Sequence, residues 1–335
     1  MRHHFAFLRL VLRGSAVAFV FSAGIALLLC GQAFAQAWPQ KPIRVLVGFA
    51  AGGPPDIAAR VLAPKLGEGL GQAVVVENRA GAGGVIAMEA VAKAPADGYM
   101  LALATSGTMF LAKALIPTAA YDPLTSFAPI GTFASNSFIL VVRPEVPAKT
   151  VKEFIALAKA QPGKLNYGSS TPGSPPHILC EMFKHEAGVD IFGITYKGSA
   201  DAITRFLAGD VQMMVDGWAV FAPLITSGKA RALLVTTEAR SKRMPEVPTA
   251  KEAGLPDFTV SSWFGLVAPA ATPDPVIRRA SAELLKAALT KEMLDALDRL
   301  GLDSVTSTPE QLAAAIKVDW PRWSAAVKAS GAKAQ

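Results

Sequence analysis

Between residues 43 and 267, short β-rich runs alternate with amphipathic helical stretches. That alternation restricts the chain to mostly parallel sheets covered by crossover helices. In a first series, Ile43 to Val47 reads as a buried strand, Gly48 to Pro55 as a glycine-rich loop and Asp56 to Leu70 as a helix. Val74 to Val76 and Met100 to Ala104 are the next strands, separated by a helix from Val85 to Ala92. Phe138 to Val142 opens a second series with helices Val151 to Ala160, His177 to Ala187 and Ala200 to Ala208. Its strands are Leu165 to Tyr167, Ile191 to Tyr196, Val211 to Val215 and Ala232 to Val235. Val260 to Val267 is extended, and Pro275 to Ser330 is helical with no strand of its own, so it is expected to pack back on the first unit. The two series predict one lobe from 37–138 plus 261–335 and another from 139–260.

The first residues bear on compartment. Arg2, Arg9 and Arg13 precede an uncharged apolar run from Ala16 to Leu29, and Ala33-Phe34-Ala35 offers the small-large-small pattern that a signal peptidase cuts. The run is shorter than the roughly 20 residues of a spanning helix. A cleaved signal peptide over residues 1–35 is therefore expected, with Ala37 an alternative end and a lipid-anchored form cut before Cys30 a third option. Export places the protein in the periplasm. The formal net charge is +7, and the leader's three arginines leave +4, spread without a basic run, so no nucleic-acid partner is expected. Of two cysteines only Cys180 remains, so stability in an oxidising compartment must come from cores rather than disulfides.

Catalytic patterns are missing. Outside the leader the histidines are His177 and His185, whose spacing of eight is no zinc pattern. There is no G-x-S-x-G elbow, Walker loop or calcium loop. Gly81-Ala82-Gly83-Gly84 superficially suggests a dinucleotide loop but lacks the third glycine position, and reads as a tight turn feeding the next helix. Neither enzymatic activity, a metal nor a cofactor is expected.

Three loops stand out instead. Gly52-Gly53, Ser106-Gly107-Thr108 and Ser169 to Ser174 each follow a strand's carboxyl end, where ligands bind in open α/β sheets. Free N–H groups of a first helical turn attract anions there. Each loop alone has an ordinary reading, since glycines turn corners and Ser or Thr caps helices. Asp56 similarly either serves the helix dipole or the ligand, and His177 either caps or contacts. Trp218, Phe221 and Trp263 read as core more readily than as stacking platforms.

Several motifs together resemble a known family. Trp38-Pro39-Gln40-Lys41-Pro42-Ile43-Arg44, Gly48-Phe49-Ala50-Ala51-Gly52-Gly53 with Asp56, and Val75 to Gly84 followed by Asp97-Gly98-Tyr99 are similar to the Bug-type solute receptors of tripartite tricarboxylate transporters. So are Pro162 to Tyr167, Tyr196-Lys197-Gly198, Arg243 to Thr249, Glu252 to Pro256 and Ser262-Trp263-Phe264-Gly265. The resemblance spans the chain beyond the leader.

It implies a two-lobed α/β fold of the type II periplasmic binding protein class, a Venus flytrap with a ligand cleft between lobes. It also implies a monomeric receptor that captures a small organic acid for membrane transporter subunits. The ligand's carboxylate would be gripped by amides, hydroxyls and waters rather than by arginine. Carried over by position, the ligand-binding residues are Phe49, Ala51, Gly52, Gly53, Asp56, Ser106, Thr108, Ser170, Thr171, Ser174, His177 and Asp216.

This chain departs from the family where the loops usually carry hydroxyls. Pro54, Pro55 and Pro175 occupy those places, where they either remove side-chain and backbone donors together or simply stand in a first helical turn, which is structurally ordinary. With Phe49, Phe110 and Trp218 as apolar wall, a dicarboxylate or aromatic acid fits better than a hydroxylated tricarboxylate. An envelope sensor subunit for a signalling partner is the second reading, and a periplasmic hydrolase or lyase the third.

Overall fold

The computed structural model describes residues 38–170, 172–260 and 262–332. The leader, its cleavage site and Cys30 lie outside them, as does Thr171. The described residues from Lys41 onward form a single compact unit, built on two five-stranded sheets.

In the first sheet, β1 (Ile43–Val47) runs parallel to β2 (Val74–Asn78) and β3 (Met100–Thr105), with Ile43 opposite Val74 and Val45 opposite Leu101. The core strands β1 and β3 are covered on both faces, and their near-continuous apolar sequences follow from that. A late strand, β10 (Ser262–Pro269), inserts antiparallel between β3 and β4 (Phe127–Asn136), giving the order β2-β1-β3-β10-β4.

The second sheet repeats the plan. Strand β6 (Asn166–Ser169) is parallel to β7 (Phe192–Thr195) and β8 (Met213–Gly217), while β5 (Phe138–Val142) lies antiparallel between β8 and β9 (Arg231–Val235). The order β7-β6-β8-β5-β9 matches that of the first sheet. The chain crosses between sheets twice: through Ser137 alone from β4 to β5, and from β9 back to β10. The crossings lie side by side, since Thr236 N–H donates to the Phe138 carbonyl at 3.0 Å and Val260 N–H to the Thr236 carbonyl at 2.7 Å.

Helix α1 (Pro54–Leu70) follows β1 and buries Ala58, Ala59, Leu62, Leu66 and Leu70, an i/i+3/i+4 stripe, before Gly71 ends it in a left-handed cap. Helix α2 (Val85–Ala92) follows β2; after β3 a π-helical stretch Gly107–Leu111 runs into the short α3 (Ala112–Leu115). Helices α4 (Val151–Ala160), α5 (Pro175–Ala187), α6 (Ser199–Ala208) and α7 (Trp218–Thr226) serve the second sheet. The tail is three helices, α8 (Asp274–Ala288), α9 (Lys291–Arg299) and α10 (Pro309–Ser330). Helix α8 packs on β4 and α1, whereas α10 touches both β4 and α5.

The glycine run at 81–84 is explained by packing. Gly84 has φ +98°, and a Cβ there would fall 2.5 Å from the Thr108 methyl, so loop and strand end meet only without a side chain. Cys180 is a fully buried thiol in α5. Among the described residues no group of His, Cys, Asp and Glu is arranged to hold a metal, and no helix is long and apolar enough to cross a membrane.

Candidate functional site

A cleft of about 580 Å³ opens where the carboxyl ends of β1, β3, β6 and β8 converge. From the first sheet it is lined by Phe49, Pro54, Pro55, Gly83, Thr105, Gly107 and Leu111. Asn136, Phe138, Ser262 and Phe264 come from the strands that cross between sheets. The second sheet contributes Ser170, Gly173, Ser174, Pro175, Pro176, Ser199, Asp216, Gly217, Ala219 and Val220, while Leu300 and Leu302 reach in from the tail.

Four of the expected residues therefore line the cleft: Phe49, Ser170, Ser174 and Asp216. Seven turn away or are already committed, in three clusters. Ala51 and Gly52 are exposed beside Gly53, off the cleft wall. Asp56 points back into its own loop. It accepts from Gly52 N–H (2.8 Å), Arg60 Nε (3.0 Å) and Asn78 Nδ2 (2.8 Å). Burial opposes its charge, but Arg60, the Gly52 N–H and Asn78 outweigh that and hold the carboxyl below its ordinary range.

Thr108 is fully buried. Its hydroxyl accepts from Thr105 N–H at 3.0 Å and faces the Thr105 carbonyl at 3.3 Å, closing the turn after β3. Ser106 donates to Ser262 at 2.9 Å, so it orients a residue of the wall without being one. His177 accepts the Gly173 N–H on Nδ1 at 3.0 Å; burial lowers its pKa, consistent with the neutral ring that acceptance requires. Gly53 and His177 thus shape loops, and the expected aromatic wall is also different. Phe110 is core, edge-on to Trp263 at 5.9 Å, and Trp218 packs near Gly301; Phe138 and Phe264 line the cleft instead.

The prolines stand where their effect is largest. Gly53 caps α1, with Pro54 and Pro55 as its first two residues, and Ile57 N–H returns to the Gly53 carbonyl at 3.0 Å. Ser174 caps α5, with Pro175 and Pro176 following; His177 N–H goes to the Ser174 hydroxyl and Ile178 N–H to its carbonyl. Pro54/Pro55 and Pro175/Pro176 thereby take away the first two N–H groups of α1 and α5, whereas α6, from Ser199, and α7, from Trp218, also begin at the cleft with no proline in their first turn. What remains polar among the side chains is hydroxyl, amide and one carboxylate: Ser170 and Ser174, 2.7 Å apart, with Thr105, Ser199, Ser262, Asn136 and Asp216. Sequence reasoning missed Asn136, Ser199 and Ser262 as site residues; Ser262 opens a quoted motif and Ser199 follows one, whereas Asn136, at the end of β4, adjoins none.

Two α/β lobes linked by paired crossings around a cleft define a type II periplasmic solute-binding protein. Residues 58–332 match the tripartite tricarboxylate transporter family receptor, and the chain belongs to that family. Protein BugT of Bordetella pertussis is 36% identical over 316 residues, 94% of this chain and 96% of its own. An R. palustris protein solved with adipate is 32% identical, covers 88% of this chain and 99% of its own, and superposes with a TM-score of 0.68. A TctC solute binding protein from Polaromonas solved with no ligand is 27% identical, covers 87% and 99%, and superposes with a TM-score of 0.80. The family and its solved members are solute-binding proteins of the periplasm, not enzymes.

Proposed function

We propose that this receptor captures a small carboxylate with an apolar body, a dicarboxylate or an aromatic acid, and delivers it to the membrane subunits of a tripartite transporter. The observation that carries this reading is the cleft's composition: hydroxyls and one amide for a carboxylate, set in a wall of proline, phenylalanine and leucine rings and chains. The adipate held by the R. palustris relative has that chemistry. The site residues are Phe49, Ser170, Ser174 and Asp216, joined by Asn136, Ser199 and Ser262. Asp56, Thr108 and His177 shape the loops behind them.

The lobes divide at the paired crossings, close to 138 and 261, and closure about them buries the ligand. The Polaromonas protein without ligand superposes better than the adipate complex although it shares fewer residues. That ordering supports an open arrangement here. The mature receptor is a periplasmic monomer released by cleavage near Ala35.

Calorimetry and thermal melts with adipate, benzoate, malate and citrate test the reading. A bound acid at hundredfold excess over its dissociation constant stabilises the fold by about 2.7 kcal/mol. Adipate or benzoate is expected to bind most tightly. Tightest binding to citrate would reassign the prolines as helix starters alone, and no shift with any acid would remove the carboxylate reading. Pull-down from membranes is expected to recover transporter subunits; recovery of a signalling kinase would favour the sensor.

A further inference from the structure

Among the described residues lining the cleft there is no lysine, arginine or histidine, and Asp216 is the one ionisable side chain. It sits at the end of β8, more than nine-tenths buried. Its Oδ2 accepts from the Ser199 hydroxyl at 2.7 Å and its Oδ1 from the Gly217 N–H at 2.8 Å, both neutral donors. No cation pairs with it among the described residues.

The surrounding elements supply no compensating charge. Neither β5 nor α7 carries a charged residue, and Tyr167 of β6 donates to Glu181. From α5, His177 is engaged with Gly173, Cys180 is a buried thiol, and Glu181 pairs with Lys184. From α6, Arg205 pairs with Asp210 and Asp201 is exposed.

A ligand carboxylate laid against an ionised Asp216 would meet a buried like charge with nothing between them. Paired carboxyls in such places share one proton. Each Asp216 oxygen has one donor and a second lone pair free, so a proton can be added without breaking either bond. Resting on the carboxylate reading above, we infer that Asp216 takes one proton from solvent as the ligand binds and donates that O–H to the ligand's carboxylate. The receptor thereby selects its acid through a shared proton instead of a cation. Burial pushes the Asp216 carboxyl above its ordinary range, the direction this role needs.

Calorimetry between about pH 5 and about pH 8, in buffers of different ionisation enthalpy, reads the proton directly. The probes are adipate and benzoate, with ε-aminocaproate as a cation-bearing control. Adipate or benzoate binding is expected to take up close to one proton, with affinity falling about tenfold per pH unit on the alkaline side. Asp216→Asn, a permanent donor, should bind the same acid about tenfold more tightly than the unaltered protein at pH 8 and lose the pH dependence. A merely structural role predicts weaker binding at every pH instead.

Binding of adipate or benzoate with no proton uptake and a flat profile overturns the inference and leaves the carboxylate reading standing. Preference for ε-aminocaproate, lost in Asp216→Asn, overturns it too, because Asp216 then works ionised. Binding of none of the probes or of malate and citrate removes both. The proton count on the unaltered protein decides the matter even if the variant does not fold.

Discussion

Asp56 carries the anchoring of the Gly52 loop, and its removal tests whether that loop must be held for the cleft to work. Asp56→Ala leaves the Gly52, Arg60 and Asn78 donors without their shared acceptor. Because Arg60 and Gly52 reach solvent, a loss of about 1–3 kcal/mol is expected in urea denaturation. The sign with pH follows from the lowered carboxyl. Its contribution is full above the unfolded carboxylate range and fades as acid titrates the folded group, so variant and wild type should converge below about pH 4. At this scale the sequence was only partly legible. Gly52-Gly53 followed by Asp56 marked an anion-suited loop, but the direction of the carboxylate is decided by Asn78, 22 residues away. Ser106 is likewise drawn off by Ser262 across 156 residues. Local spacing names candidates, and partners brought by the fold choose among them.

Elements with a clean period were legible and those with breakers were not. β1, β3 and β5 were read from their apolar runs; β4 was missed because Pro129 and Gly131 interrupt it, and α7 because Pro223 lies inside a wholly apolar run. Of the two readings of Pro54 and Pro175, the first-turn one holds: the helix boundaries expected after them move back so that each opens a helix, where a missing N–H costs nothing. That placement gives the double prolines a consequence for ligand choice. Pro55→Ser restores one N–H and one hydroxyl at the start of α1 without disturbing the Gly53 cap. Stability should change by less than about 1 kcal/mol. Affinity for citrate should rise about tenfold, the worth of one added hydrogen bond to a charged group, with adipate changing less. Calorimetry on both acids makes the comparison, and an unchanged ratio would leave the prolines without a part in selection.

At the scale of the whole molecule, two sheets of the same strand order face one cleft, and what holds them apart matters as much as what closes them. Arg243 lies in the segment between β9 and β10, whose Met244 and Val247 pack in the core of the second sheet. Its guanidinium reaches the tail that packs on the first sheet, donating to Asp303 at 2.6 Å, Asp298 at 2.9 Å and the Leu302 carbonyl at 3.0 Å. Asp303 in turn exchanges both backbone hydrogen bonds with Ser135, at 2.8 Å each, and accepts from Ser137 at 2.5 Å, beside the first crossing. Only about a sixth of the Arg243 side chain is exposed, so these bonds are less screened than surface pairs. A strap of this kind stabilises whichever arrangement it fits, which under the open reading proposed above is the open one. Arg243→Ala should therefore shift the ligand-free protein toward closure and tighten binding, by about tenfold if the strap is worth 1.4 kcal/mol more open than closed. The same change should lower the melting temperature of the free protein, because Asp298 and Asp303 lose their cation. Small-angle scattering with and without ligand reads the first effect and calorimetry the second. An unchanged dissociation constant together with a lowered melting temperature would make Arg243 a pivot, equally engaged in both states.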